Sequence, residues 1–258
     1  TEKKLAAATI HGFIRTVSCI LSFACQQDYI TENVCLGKKI KKPKLNDGKE
    51  KMIQPEVLNG YAKIIEESPI KYKVFFKIAL GTGMRLSEIM GLRWKDIDFE
   101  DKSLSIIETR SYTPEQGTMF VEPKTETSQR TIEVSDTIIE SLRELKIVEA
   151  EERLKAGVLW KKNPKNPTEE YCDNHHICNK GTKNYCSKHC KLFKQEDRIF
   201  VNEIGYPMAD STIRKHIQRA GEERGLPHIT IHGLRHSAVS IMIKNGEALT
   251  DIAEFVGH

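Results

Sequence analysis

After Trp94 the spacing of apolar residues changes from helical to alternate, and after Val134 it changes back. Leu104 and Ile106, with Glu108 next in line, stand two apart, and residues 118–122 and 130–134 make two more short runs of the same kind. Side chains two apart share one face of a strand, whereas a helical face recurs at three and four. A few short strands within a helical chain restrict the fold to a mainly α protein with a small antiparallel β-sheet, an α+β arrangement. Pro123-Lys-Thr-Glu-Thr-Ser128 is polar and is expected to join the last two strands as a hairpin turn with Lys124 at its tip.

Around that island the period is helical. Ile10, Phe13, Val17, Ile20 and Ala24 predict an amphipathic helix over residues 5–28, with a short turn starting near Thr31. Helices follow over 55–66 and 71–80, and Gly81-Thr-Gly83 breaks the second. Another opens at Met84-Arg85-Leu86-Ser87-Glu88. A long charged helix runs over 136–156 with Asp136 as its cap. Residues 198–201 read as a strand, and Asp210 or Ser211 caps a helix to residue 224. Ile229-Thr-Ile231 then leads into a segment whose apolar residues Leu234, Ala238, Ile241 and Met242 again keep the helical period.

The 258 residues suffice for one large domain or two smaller ones, and 39% hydrophobic with 29% charged residues is the balance of a soluble globular protein. No apolar run is expected to reach membrane-spanning length, and no signal peptide is visible, so a reduced cytoplasm is the expected setting. The net charge of +4 permits nucleic-acid binding without demanding it. That charge is concentrated in residues 38–51, where Lys38, Lys39, Lys41, Lys42 and Lys44 precede Lys49 and Lys51 in a stretch with little apolar content. It reads as a basic interdomain linker, either solvated or laid along a phosphate backbone. The domains are then 1–37, the end of a helical domain; the linker 38–51; and 52–258, with an insertion at about 160–197.

Several residues carry candidate chemistry. His232 and Arg235 lie three apart on one helix and so share a face. One exchanges protons near neutral pH and the other is a permanent bidentate cation, a combination suited to a phosphate held while a proton moves. Arg85 stands at a helix start beside a glycine turn, where free backbone N–H groups favour an anion; pairing with Glu88 across one turn is the plainer alternative. The insertion holds Cys172, His175, His176, Cys178, Cys186, His189 and Cys190 in a region nearly without apolar residues. A tetrahedral structural zinc held by three or four of Cys172, Cys178, Cys186 and Cys190, with His176 or His189 as the other candidate ligand, would supply order that no core can; free cysteines in an open loop are the alternative.

Four fragments resemble the tyrosine recombinases, or phage-type integrases: Gly81-Thr-Gly-Met-Arg85-Leu-Ser-Glu88, Pro123-Lys124-Thr-Glu-Thr-Ser-Gln-Arg130, His232-Gly-Leu-Arg235-His236 and Gly257-His258. Their order and settings match that family across most of the chain outside about 157–197, and the wording is nearest to integrases of conjugative transposons and phages. The resemblance implies a recombinase catalytic domain preceded by the end of a helical core-binding domain.

It also implies cutting and rejoining of DNA through a 3′-phosphotyrosyl link, with no cofactor for catalysis. By position, Arg85 and Arg235 would clamp the attacked phosphate, Lys124 would protonate the leaving 5′-oxygen, and His232 would accept the nucleophile's proton. His258 would hydrogen-bond the phosphate, and Glu88 would support the arginines. The family's tyrosine falls shortly beyond the Gly-His pair, past His258, so this stretch alone is expected to bind DNA without cleaving it; Tyr185 and Tyr206 do not match the motif. Implied partners are a double-stranded DNA core site, three further copies in a tetramer on DNA, and an accessory excision protein, in a bacterial, nucleoid-associated setting and with no membrane. A non-catalytic DNA-binding regulator of the same fold and a type IB topoisomerase-like enzyme are the alternatives.

Overall fold

In a computed structural model, residues 5–37, 40–44, 53–113, 117–122, 129–160 and 198–257 are described. The chain divides into two compact units, Thr1–Lys51 and Met52–His258.

The first unit is built on α1 (Ala7–Gln26), none of whose residues is buried. Its polar side binds the chain that follows. Asn33 Nδ2 donates to the Ser18 carbonyl and to Ser22 Oγ, each at 2.8 Å, and its Oδ1 accepts from the Cys35 amide at 2.9 Å. His11 Nε2 donates to the Pro43 carbonyl at 2.8 Å. This part of the basic stretch therefore folds back on α1 rather than standing open, with Lys41, Lys42 and Lys44 exposed. One sequence expectation is corrected here. At 20 residues and a mean hydropathy of 1.4, α1 is long and apolar enough to cross a bilayer by length and composition alone. Arg15 near its middle and the Ser18–Asn33–Ser22 cluster are instead features of an amphipathic helix.

The second unit is organised around α3 (Ile70–Thr82). Val74, Phe75, Phe76, Ile78 and Ala79 are buried on nearly every side of it, so it packs at once on α2 (Pro55–Glu67), α5 (Asp136–Ala156) and α7 (Ile231–Lys244). Its lysines reach outward to carboxylates: Lys71 meets Glu152 at 2.5 Å and Lys77 meets Glu66 at 2.8 Å. Between α3 and α5 lie α4 (Leu86–Ile89), a 3₁₀ turn at Trp94–Asp96, and five strands: β1 (Ile97–Asp98), β2 (Ser103–Ile106), β3 (Thr109–Thr113), β4 (Gly117–Val121) and β5 (Arg130–Glu133). Leu104, Ile106 and Ile132 face the common core. After the insertion come α6 (Asp210–Glu222), α7, and α8 (Leu249–Val256).

The strands pair differently from the hairpin expected around Lys124. β4 pairs with β3, and β5 pairs with β2 in a three-stranded sheet β1-β2-β5. The segment holding Lys124 thus connects two sheets. Alternation marks a strand but does not name its partner, and β3, whose side chains are mostly half-exposed, was not legible from its pattern. Residues 198–201 make two isolated bridges, Arg93 with Arg198 and Val201 with Pro207, rather than a full strand. An ion network holds them in place. Arg93 binds Asp96 at 2.7 Å and Glu108 at 3.0 Å, while Arg198 binds Glu108 at 2.8 Å and the Gly91 carbonyl at 2.7 Å.

Candidate active site

The site begins at the break after α3. Gly83 takes the left-handed conformation (φ 62°). Thr82 Oγ1 ties the turn, donating to the Ile78 carbonyl at 2.7 Å and accepting from the Met84 amide at 3.2 Å. Arg85 follows as the N-cap of α4. Its backbone N–H donates to Glu88 Oε2 at 2.8 Å and its Nη1 to Glu88 Oε1 at 2.7 Å. One backbone donor at this helix start, that of Arg85 itself, is therefore taken by Glu88, so the pairing across one turn is present. The guanidinium stays partly exposed.

α7 brings the second arginine. Thr230 is its N-cap and accepts from the Gly233 amide at 2.9 Å. Arg235, one turn in, is buried and donates to two carbonyls: Gly83 through Nη1 at 2.5 Å and Val256 through Nη2 at 2.8 Å. Burial lowers its pKa to about 10, with repulsion from Arg85 and Arg130 adding to the shift and Glu88 opposing it. It remains a cation at neutral pH. Burial works to raise the Glu88 pKa, but hydrogen bonds and charge from Arg130 and Arg85 outweigh it and hold the carboxyl below its usual range.

Arg85, Arg235 and His232 line one cavity of about 350 Å³, together with Ser87, Arg214 and Asp210. His232 is exposed, and its ring meets that of His236 edge to face, centroids 4.4 Å apart. Asp210 does not cap its helix, for which Ala209 is the N-cap. Arg110 holds it instead, donating to Asp210 Oδ1 at 2.6 Å and to the Met208 carbonyl at 2.5 Å. Several basic groups around one opening, with Glu88 buried beneath Arg85 and Asp210 at the lining bound by Arg110, can receive an oxyanion such as a phosphodiester.

The structure thus brings Arg85, Glu88, His232 and Arg235 together from two distant parts of the chain. Lys124, His258, Lys38 and Lys39 lie outside the described residues, as do Cys172, Cys178, Cys186, Cys190, His176 and His189. Among the described residues no group of three or more His, Cys, Asp or Glu side chains could hold a metal. Sequence reasoning missed two participants. Arg214 has no signal beyond its charge on α6. Arg130 stood in a quoted fragment but without a role; its side chain is 8% exposed and binds Glu88 Oε2 at 3.1 Å.

With this geometry in place, comparison with known proteins is informative. Residues 51–258 match the model of the phage integrase family. The chain is 27% identical over 96% of its length to a "Tyrosine recombinase XerC-like" protein of Caldanaerobacter subterraneus subsp. tengcongensis, covering 58% of that protein. It is 26% identical over its whole length to the "ICEBs1 integrase" of Bacillus subtilis, covering 60% of it. It therefore spans about six tenths of the length of these curated relatives. Among solved structures, the Tn1549 transposon integrase in complex with a circular intermediate DNA superposes with a TM-score of 0.72 at 20% identity, over 98% of this chain and 72% of that one. A lambda integrase dimer bound to a core site gives a TM-score of 0.57 at 17% identity, over 98% of this chain and 56% of that one. These two likenesses establish the fold.

Proposed function

The chain belongs to the phage integrase family, and from that membership we propose that it is the catalytic part of a site-specific recombinase that integrates or excises a mobile DNA element. The observation that carries this reading is the convergence of Arg85 and Arg235, with His232, on one cavity. A phosphodiester seated there meets two forked cations. Both are anchored to backbone carbonyls or a carboxylate, so they need not reorganise as charge grows on a five-coordinate phosphorus.

In this mechanism a tyrosine hydroxyl attacks the phosphorus, the bond to the 5′-oxygen breaks, and a 3′-phosphotyrosyl link forms. His232 takes the tyrosine's proton and Lys124 gives one to the leaving 5′-oxygen. The 5′-hydroxyl of a partner strand reverses both steps, so the bond energy is conserved and no cofactor is required. His258 steadies the phosphate and Glu88 steadies Arg85. No tyrosine within residues 1–258 is assigned that role.

Residues 1–37 serve as the end of a core-binding domain, and the exposed Lys41, Lys42 and Lys44 follow the DNA backbone, with Lys38 and Lys39. The partners are a duplex core site and further copies of the protein, assembled as a tetramer on DNA in the bacterial cytoplasm, with an accessory protein directing excision. Relatives of this fold were solved on DNA as a dimer and, on a Holliday junction, as a tetramer, which supports this assembly. A structural zinc in the Cys172–Cys190 stretch remains part of the proposal; metal analysis of purified protein tests it, and a zinc-free protein overturns it.

The decisive test uses the full-length protein on a nicked suicide substrate. A covalent protein–DNA adduct that forms with wild type and is lost with Arg235→Lys is expected. DNA binding with no adduct from wild type would favour a non-catalytic regulator. Relaxation of supercoiled plasmid lacking any core site would favour a topoisomerase.

A further inference from the structure

The end of α8 is held in an unusual way. Three consecutive carbonyls each accept from a different arginine. Phe255 O takes Arg130 Nε at 2.8 Å, Val256 O takes Arg235 Nη2 at 2.8 Å, and Gly257 O takes Arg85 Nη2 at 2.9 Å. The last carbonyls of a helix lack partners within it and carry the negative end of its dipole, so cations are their natural ligands. Two of these three arginines also line the phosphate cavity; Arg130 does not. Arg130 instead reaches across to the buried Glu88, which it shares with Arg85.

Gly257 is shaped around this contact. Its φ of 71° is left-handed, and a Cβ there would stand 2.6 Å from Arg130 Nη1 and 2.9 Å from its Cζ. A side chain at this position would be strained by the backbone conformation and would push the guanidinium aside. Lysine is a poorer fit than Arg130, because its compact ammonium lacks the planar fork that spans the Phe255 carbonyl through Nε and the Glu88 carboxylate through Nη2.

We propose that Arg130 is a positioning residue of strand cleavage: by tying the Phe255 carbonyl to Glu88, it fixes the end of α8 against the Arg85–Arg235 pair. This deepens the recombinase reading and rests on it.

The test uses the full-length protein and measures its melting temperature and, on one nicked suicide duplex, its equilibrium affinity and single-turnover cleavage rate. Arg130→Met is expected to keep affinity within about threefold while cleavage slows about 100-fold, the loss typical of a misplaced preorganised group. Arg130→Lys recovers only part of the rate. Gly257→Ala, which displaces the guanidinium, slows cleavage in the wild-type background. It adds much less in the Arg130→Met background, because neighbours in one network are not additive. A purely structural role would lower affinity, rate and melting temperature together, and that outcome overturns the proposal. Arg130→Met cleaving at the wild-type rate, or full additivity with Gly257→Ala, overturns it too, while leaving the recombinase reading intact. A wild-type protein that makes no adduct defeats both.

Discussion

Arg235 Nη1 donates to the carbonyl of Gly83, 152 residues earlier in the chain, at 2.5 Å. That bond and its companion to Val256 make Arg235 the peg on which the α3–α4 turn and the end of α8 both hang. Arg235→Met keeps most of the side-chain volume but strands two buried acceptors. Each such loss costs about 1–3 kcal/mol, and relief from the repulsion of Arg85 and Arg130 offsets part of it. A net loss of about 2 kcal/mol in urea unfolding is expected.

Glu88 is the carboxylate that Arg85 and Arg130 share. Breaking a buried pair by removing one charge costs about 3–5 kcal/mol, so Glu88→Gln should be among the most destabilising isosteric changes in the second unit. The sign of its pH dependence follows from its lowered pKa. The native state holds the deprotonated form more tightly than the unfolded chain does. Stability from Glu88 is thus complete above the unfolded value near 4.5 and is lost as pH falls toward the folded one. Unfolding free energies of wild type and Glu88→Gln should converge as the solution is acidified, and parallel curves would refute the assignment.

His216 of α6 stacks on Tyr72 of α3, ring centroids 3.8 Å apart, with Nε2 3.0 Å from the Ser68 hydroxyl. Burial lowers its pKa below 6.5, and Glu223 opposes the shift only in part. The unfolded chain therefore binds the proton first. Stability should fall as pH drops through the unfolded value of 6.5, and the loss should stop growing below the folded one. His216→Phe should flatten the melting temperature across that window.

Two glycines separate backbone from side-chain crowding. A Cβ on Gly91 would lie 2.5 Å from the Glu108 carbonyl, whereas one on Gly60 would meet only the Leu226 side chain, at 2.8 Å. Backbone held by the Arg93–Glu108–Arg198 network has no cheap way to move, but a leucine can change rotamer. Gly91→Ala should cost about 3 kcal/mol and Gly60→Ala about 1 kcal/mol or less in denaturant unfolding.

Charge reversal is unnecessary to probe the DNA path. Replacing Lys41, Lys42 and Lys44 with glutamine should weaken binding on all sequences alike and flatten the log-affinity against log-salt slope by about 0.9 per lost phosphate contact. Arg214→Gln should remove about one further contact. A slope unchanged by all four substitutions would place the DNA elsewhere.

Local pattern alone determined much of this protein. Helical period placed α1, α2, α3, α5 and α7 to within a few residues, and the Gly81-Thr-Gly83 break and the His232–Arg235 spacing marked the two halves of the pocket. These features are local because hydrogen bonding in a helix, and the left-handed turn that ends it, involve residues only a few positions apart. Partnership was decided only by the tertiary structure. Nothing in the alternation of β4 and β5 reveals that they join different sheets, and nothing in the α4 sequence reveals that Glu88 must also serve Arg130. Asp210 has the look of a helix cap yet is claimed by Arg110, 100 residues away. Such pairings depend on which buried groups the packed core brings within reach of one another, since each must find a partner or bear the cost of desolvation.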